Sequence, residues 1–420
     1  MRTKTLVVLS VVLIVSVALS GCSNLLPQDE TPLMGDYGSP YTPEEHQLRT
    51  FEALWTNLQE NYIYFDTAKI DWDGLHTQYT DQIKGGLNNE QFTDLLHNLQ
   101  NDLPAGTLAY TSRAERIQAE TTDNSSYSGI GAYVGFQAKP EPHIVILGVM
   151  DGSPAEQAGI RAHDSLIMID GSPILLEEGI TATQRIRGPA GTSVKLTVRS
   201  PGNAERVVEV TRAQVASSGN LTAREVPGKP YGYILFPPFA YDGIMDDFRI
   251  SMQGFTANKT LDGLILDLRV TNDGRGWPLQ ELFTIFHDGE IGEFYDRTNT
   301  QTARINGQDL FGSQSVPLII LVGQNTSGSP EIFAASLQAY GRATLVGETT
   351  PGSIESTTTY NLPDGSLAFI ETTSFRLSNG SDVGNNGVKP DIQVEAGWED
   401  ILPNNDPVLE KAIELLEAQP

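Results

Sequence analysis

The chain has 420 residues, 39% of them hydrophobic, which is enough for two or three domains that each bury a core. Fifty-three acidic side chains against twenty-seven basic ones give a net charge of -26, which repels a polyanionic backbone and speaks against nucleic acid as a partner. The single cysteine excludes an intramolecular disulfide, so the fold must stand on packing alone.

The chain opens on an address. Arg2 and Lys4 precede the run TLVVLSVVLIVSVALSGC, a positive region followed by an apolar one, as in a secretory signal. Its end, Leu19-Ser20-Gly21-Cys22, resembles the lipobox of bacterial lipoproteins. That resemblance implies a signal peptide over residues 1–22, lipidation of Cys22 and an extracytoplasmic protein anchored to a membrane through its lipid. An uncleaved transmembrane anchor is the alternative, but the lone cysteine falls at the lipobox position. Residues 23–41, rich in Pro, Gly and polar side chains without apolar periodicity, read as a flexible tether.

From Thr42 the phrase TPEEHQLRTFEALWTNLQENY predicts a helix with Thr42 as its cap and Pro43 at the first helical position. Two more helical patterns follow in LHTQYTDQIKGGLNNEQFTDLLHNLQNDL, so residues 42–115 are expected to form a small helical domain. His46, His76 and His97 are scattered singly through it and are assigned no chemistry.

Residues 125–215 change to short β-rich runs such as HIVILGVM, SLIMIDG and SVKLTVRS, broken by Gly, Pro and Asp. The phrases GIGAYVGF, DGSPAEQAGIRAHDSLIMIDGSPI and RGPAGTSVKLTVRS follow one another as in the PDZ domains of bacterial proteases, which this region resembles. Such a domain takes an extended peptide as an added strand and holds its terminal carboxylate on backbone N–H groups. Gly129, Ile130 and Gly131 are the candidates for that role, and the alternative is that they only make a turn. His163 departs from the pattern, standing where glycine usually precedes Asp164.

Over residues 228–398 the apolar runs YGYILFPPF, LDGLILDLRV, VPLIILVG and ATLVGE alternate with helical segments such as IMDDFRISMQGF and PEIFAASLQAY, which implies α/β layers. Residues 399–420 close the chain with DPVLEKAIELLEAQ, a helix with Asp406 as cap and Pro407 first.

Helical region, PDZ region and α/β core in this order, with GYILFPPF, GLILDLRV, EIFAASLQAYGRATLVGE and GVKPDIQVE, resemble the tail-specific or C-terminal processing serine peptidases over roughly residues 45–418. The resemblance implies an α+β multidomain protein with an N-terminal helical domain, a PDZ β-rich domain and a crotonase-like α/β peptidase core. It also implies a serine nucleophile with a lysine base, an extracytoplasmic setting, and neither cofactor nor metal.

The chain departs from that pattern where the chemistry would sit. The family serine lies three residues before the glutamate that opens the helix, here Glu331, which puts Gly328 in its place. The lysine position is Ser353, a hydroxyl that cannot act as a base near neutral pH, and the assisting glutamine position is Thr357. The Asn-Pro-Gly-Gly turn that helps form the oxyanion hole is Thr-Asn-Asp-Gly at 271–274, with Asp273 where negative charge would develop. Relatives with a Ser-His-Glu arrangement carry a histidine where DLPAGTLAY has Gly106. Ser329, followed by Pro330 and Glu331, reads as a helix cap, and Ser327 is freer.

The sequence thus reads as a pseudoprotease that binds polypeptide C-termini or unfolded proteins. The alternative is an active serine endopeptidase with Ser327 or Ser329 as a shifted nucleophile. A Lys or His nitrogen within hydrogen-bond reach of either hydroxyl would favour the enzyme.

Overall fold

The Thr42 cap forms as expected and starts the helix Pro43–Asn61. Glu45 N–H donates to Thr42 Oγ1 at 3.2 Å, and Thr42 N–H donates back to Glu45 Oε2 at 2.7 Å. This computed structural model describes residues 42–121, 126–216, 220–257, 260–273, 276–384, 386–402 and 404–418. Among these no helix is long and apolar enough to cross a membrane, and Cys22 with its tether lies outside them.

The helices Trp72–Lys84 and Asn89–Asp102 pack on the first, burying Phe51, Leu54, Leu58, Ile83, Leu96 and Leu99. The region is not self-contained, however. Strand Leu108–Thr111 pairs antiparallel with Leu367–Arg376 far along the chain, and Leu362, Ala368 and Ile370 complete the helical region's own core. A strand of four residues is too short to show alternation in sequence, so the pattern reads as the tail of a helical domain.

The PDZ region is an antiparallel sheet ordered Ala132–Gln137, His143–Val149, Ser165–Ile169, Ser193–Arg199, Arg206–Thr211. Ile144, Ile146, Leu166, Leu196 and Val198 fill its interior. Strand Ala132–Gln137 is an edge of this sheet. His163 sits at φ 74°, a left-handed turn that glycine enters at no steric cost. Here the imidazole offsets that strain: Nδ1 donates to the Trp398 carbonyl at 2.7 Å and the rings lie 4.1 Å apart.

The core is a six-stranded sheet ordered Thr222–Glu225, Tyr231–Leu235, Gly263–Asp267, Leu318–Val322, Thr344–Gly347, Ile392–Gln393, parallel except for the first pair. Its central strands are continuous apolar runs because both faces are covered. Helices Ile244–Thr256, Leu279–Phe286 and Ser329–Ala339 cover one face. The helix Pro407–Glu417, capped by Asp406 as expected, covers the other through Val408, Ala412 and Leu416. Asp406 also pairs with buried Arg269, whose guanidinium bridges to Asp267 at 2.6 Å, so the C-terminal helix is pinned to the carboxyl end of a central strand. A second, antiparallel sheet carries Ser356–Asn361 and Leu367–Arg376 and joins the core to the helical region.

Candidate functional site

The site grows from the carboxyl end of strand Leu318–Val322, where α/β sheets place their ligands. A short loop leads from it into the helix Ser329–Ala339, and the turn between them is Gly328 at φ 76°, ψ −136°. Glycine adopts this backbone freely, whereas another residue would be strained there.

The cap assigned to Ser329 needs correction: Gly328 is the cap and Ser329 the first helical residue. The signal lies in Glu331, because a capping-box carboxylate stands three residues after its cap. Glu331 Oε2 accepts the Gly328 N–H at 3.1 Å, which fixes the start one residue earlier.

Fully buried Glu331 holds more than the helix end. The same Oε2 accepts the Ser353 N–H at 2.9 Å, Oε1 accepts the Gly352 N–H at 2.6 Å, and Thr350 Oγ1 also donates to it. Burial pushes its pKa up against these four hydrogen bonds. One carboxylate oxygen therefore brings position 328 beside position 353, as the family comparison implies. Ser353 itself is exposed, and Thr357 lies exposed on strand Ser356–Asn361, opposite Glu371.

Asp273 lies against the same turn. A Cβ built on Gly328 would sit 2.3 Å from the Asp273 Cβ, well inside any real contact. A serine at 328 and a side chain at 273 therefore exclude one another. The Asp273 carboxylate, its pKa raised by burial against the opposing effect of the Ser329 hydroxyl and backbone N–H, faces the end of the helix where an oxyanion would be stabilised. Half-buried Ser327 donates its N–H to the Thr271 carbonyl at 3.1 Å, and buried Thr271 Oγ1 holds the Phe236 carbonyl at 3.1 Å. Among the described residues no lysine or histidine nitrogen is hydrogen-bonded to the hydroxyl of Ser327 or Ser329. Gly274 lies outside the described residues.

Sequence reading missed Glu371. A Cβ on Gly106 would meet its Oε1 at 2.0 Å, so this carboxylate fills the space beside Gly106. Burial, and then the charge of Glu355, push Glu371 up to about 7. Glu355 in turn accepts the Tyr64 hydroxyl at 2.6 Å. The only sequence signal for Glu371 is a charge inside the otherwise β-forming run LAFIETTSF.

The PDZ candidates lie together at the head of the edge strand Ala132–Gln137. Gly129 pairs with Ala213, Ile130 is buried in the domain's core, and Gly131 turns at φ 75° with its Cβ position 2.4 Å from the Ser153 Cβ. The Ile130 carbonyl accepts from Ala155 N–H and the Gly131 carbonyl from Met150 N–H. Outside the strand ladders, the N–H groups of Ile130 and Gly131 donate to no backbone carbonyl among the described residues.

The Peptidase family S41 model matches residues 230–394, the Tricorn protease C1 domain model residues 43–101, and a PDZ domain model residues 145–200. The carboxyl-terminal-processing protease of Picosynechococcus sp. is 33% identical over 282 residues, which cover 63% of this chain and 65% of that protein. The protein of the same description from Synechocystis sp. is 29% identical over 358 residues, 81% of this chain and 79% of the other. Among solved structures, the photosystem II D1 C-terminal processing protease shares the fold with a TM-score of 0.64 at 21% identity, over 90% of this chain and 98% of that one. Helical, PDZ and core matches in a single order, together with relatives aligned across most of the chain, make this protein a member of the tail-specific protease family, peptidase family S41 with a PDZ domain.

Proposed function

We propose that this chain is a pseudoprotease, a lipid-anchored extracytoplasmic protein that binds polypeptide C-termini or unfolded chains without cleaving them. The observation that carries this reading is the close approach of Asp273 to Gly328: the place of a nucleophile's Cβ is taken, and a carboxylate faces the helix end that would stabilise an oxyanion. Ser353 offers no base beside it, and cooperating catalytic groups act as a unit, so missing several leaves only residual positioning effects. The edge strand Ala132–Gln137 with its Gly-Ile-Gly turn supports peptide capture by strand addition. Cys22 at the end of a signal-like segment supports the anchor.

One observation favours the second reading, an active endopeptidase. The Ser329 hydroxyl lies beside the Asp273 carboxylate, whose pKa burial raises, and a carboxylate so placed could accept its proton. That same carboxylate opposes negative charge developing beside it. The decisive experiment incubates the mature protein with an unfolded protein substrate. No turnover is expected, and turnover in the wild type that disappears in Ser329→Ala or Ser327→Ala would establish the enzyme instead.

A further inference from the structure

Two histidines of the PDZ domain flank one short segment of the core. The turn Trp398–Asp400 drives Trp398 into the domain, where its Nε1 donates to the Ile146 carbonyl at 3.2 Å. Its ring joins Tyr133, Val145, Leu147, Met150, Val270 and Ile401 in a single apolar cluster shared by domain and core. His163 holds the Trp398 carbonyl, as described above. His143, only 1% exposed, faces the next residue: its Nε2 lies 3.6 Å from Glu399 Oε1.

The hydrogen bonding of His143 fixes its tautomer. Nδ1 is 2.8 Å from the Glu141 carbonyl, which can only accept, so Nδ1 carries a proton. In the neutral ring Nε2 then presents a lone pair to a carboxylate, whereas in the charged ring it presents a proton. Neither Nε2 nor Glu399 Oε2 has a hydrogen-bond partner among the described residues, and 3.6 Å is an ion-pair distance rather than a hydrogen bond. We infer that His143 and Glu399 form a protonation-controlled latch between the PDZ domain and the core, closed when the imidazole is charged and slack when it is neutral.

The surroundings favour the charged ring. On the domain side lie Lys139 and Arg199, the latter paired with Glu141 at 3.2 Å; on the core side lie Glu348, Glu395, Glu399 and Asp400, and several of these groups line a cleft of about 990 Å³. Burial alone would discharge His143, and Arg199 acts the same way. The Glu399 carboxylate and the Glu141 carbonyl outweigh both and raise the imidazole above its ordinary value, while His143 holds Glu399 below its own against burial. His163 behaves oppositely: burial lowers it, which favours the neutral ring that donates to Trp398. Because the folded value of His143 is raised, its contribution is complete below the ordinary histidine range and is lost as pH rises through the raised value.

The latch bears on more than the interface. A Cβ on Gly135, in the PDZ edge strand, would meet Asn325 Oδ1 at 2.6 Å, so the docked domain also presses on the loop that precedes Gly328. Release at Glu399 would free that edge and that loop together. This inference does not depend on whether the protein binds polypeptides.

Hydrogen exchange of the full chain tests it, read on residues 143–149 and 397–401 and corrected for the intrinsic pH dependence of exchange. Going from about pH 5.5 to about pH 8.5, on either side of the histidine range, protection of both segments should fall by about three- to tenfold. His143→Gln should hold protection low and flat across pH, and Glu399→Gln should do the same, which keeps the test open if one variant misfolds. His163→Asn should lower protection at both values and leave the pH dependence in place. Equal wild-type protection at the two values, a dependence that survives both His143→Gln and Glu399→Gln, or its loss in His163→Asn would each overturn the latch.

Discussion

Gly328→Ser places a hydroxyl at the position that the sequence reading aligns with the family serine, and the structure expects it to be among the most damaging changes at the site. The new Cβ would lie 2.3 Å from the Cβ of Asp273, 3.1 Å from its Cγ and 3.2 Å from an oxygen. The nearest of these is an atom one bond from the backbone, so relief requires a main-chain shift rather than a rotamer change. Overpacking of this kind costs about 1–3 kcal/mol. A non-glycine residue at φ 76°, ψ −136° adds about 1–3 kcal/mol of backbone strain. Together these give about 2–6 kcal/mol. In an Asp273→Gly background the first cost vanishes, so the same serine should cost only the strain, about 1–3 kcal/mol. Asp273→Gly alone removes the carboxylate that faces the helix start and should cost about 0.3–1 kcal/mol, as the loss of an anion at a helix N-terminus does. Denaturant midpoints of the wild type, both single variants and the double variant close the cycle, with an expected coupling of about 1–3 kcal/mol in favour of the pair. If serine at 328 costs the same in both backgrounds, within about 0.5 kcal/mol, the steric exclusion is wrong.

Glu371 should make stability fall as pH rises. Its folded pKa is raised to about 7, so the protonated form is favoured in the fold, and its contribution, complete below the ordinary carboxylate range, disappears as pH passes through that value. Melting temperatures of Glu371→Gln should lose that part of the fall, and curves parallel to the wild type from about pH 4 to pH 8 would refute the assignment. Cys22→Ser should yield a soluble or unprocessed protein, and a mature form that remains on the membrane would remove the lipid anchor. Peptides with a free apolar C-terminus should bind more tightly than their amidated forms; equal affinity in direct titration would show that the turn at Gly129, Ile130 and Gly131 is structural only. Combining Asp273→Gly and Gly328→Ser with Ser353→Lys should permit cleavage of an unfolded substrate where Gly328→Ser with Ser353→Lys does not; activity in the latter pair would contradict the steric argument.

Much of the fold was legible because its signals are local. Continuous apolar runs such as LIILV announce strands covered on both faces, and the caps at Thr42 and Asp406 mark helix starts through residues three positions apart. What stayed hidden is long-range. Strand Leu108–Thr111 owes its existence to a partner more than two hundred residues away, and no window around it contains that partner. The Ser329 cap was misread for a different reason: Ser-Pro is a strong local signal, but the reach of Glu331 to Gly328 competes with it and wins. The positions aligned to family chemistry could be placed from one gapless phrase, yet their mutual fit could not. Only the structure puts Asp273 against Gly328 and Glu371 against Gly106.

Those two close approaches share a form. At each, a glycine that the sequence reading aligns with a catalytic position of the family has an acidic side chain from a different element in the space beside it. A glycine alone would leave a void that water or substrate could enter; a glycine with a neighbouring acidic side chain leaves that space filled. The two carboxylates also differ in how they are satisfied. The hydroxyl and N–H of Ser329 oppose the rise that burial gives Asp273, whereas Glu371 has Glu355 nearby and its pKa is pushed up to about 7. The first thus faces donors that favour its charge, and the second changes its charge near neutral pH. Meanwhile Glu331, with four donors on two oxygens, keeps the loop Thr350–Ser353 tied to the helix start. These hydrogen bonds serve folding, and they hold the geometry of loop and helix start whether or not a nucleophile stands there. Under the proposed function, that is why a single substitution toward the family pattern should fail: each glycine and its acidic neighbour must change together, and a base must be supplied at position 353.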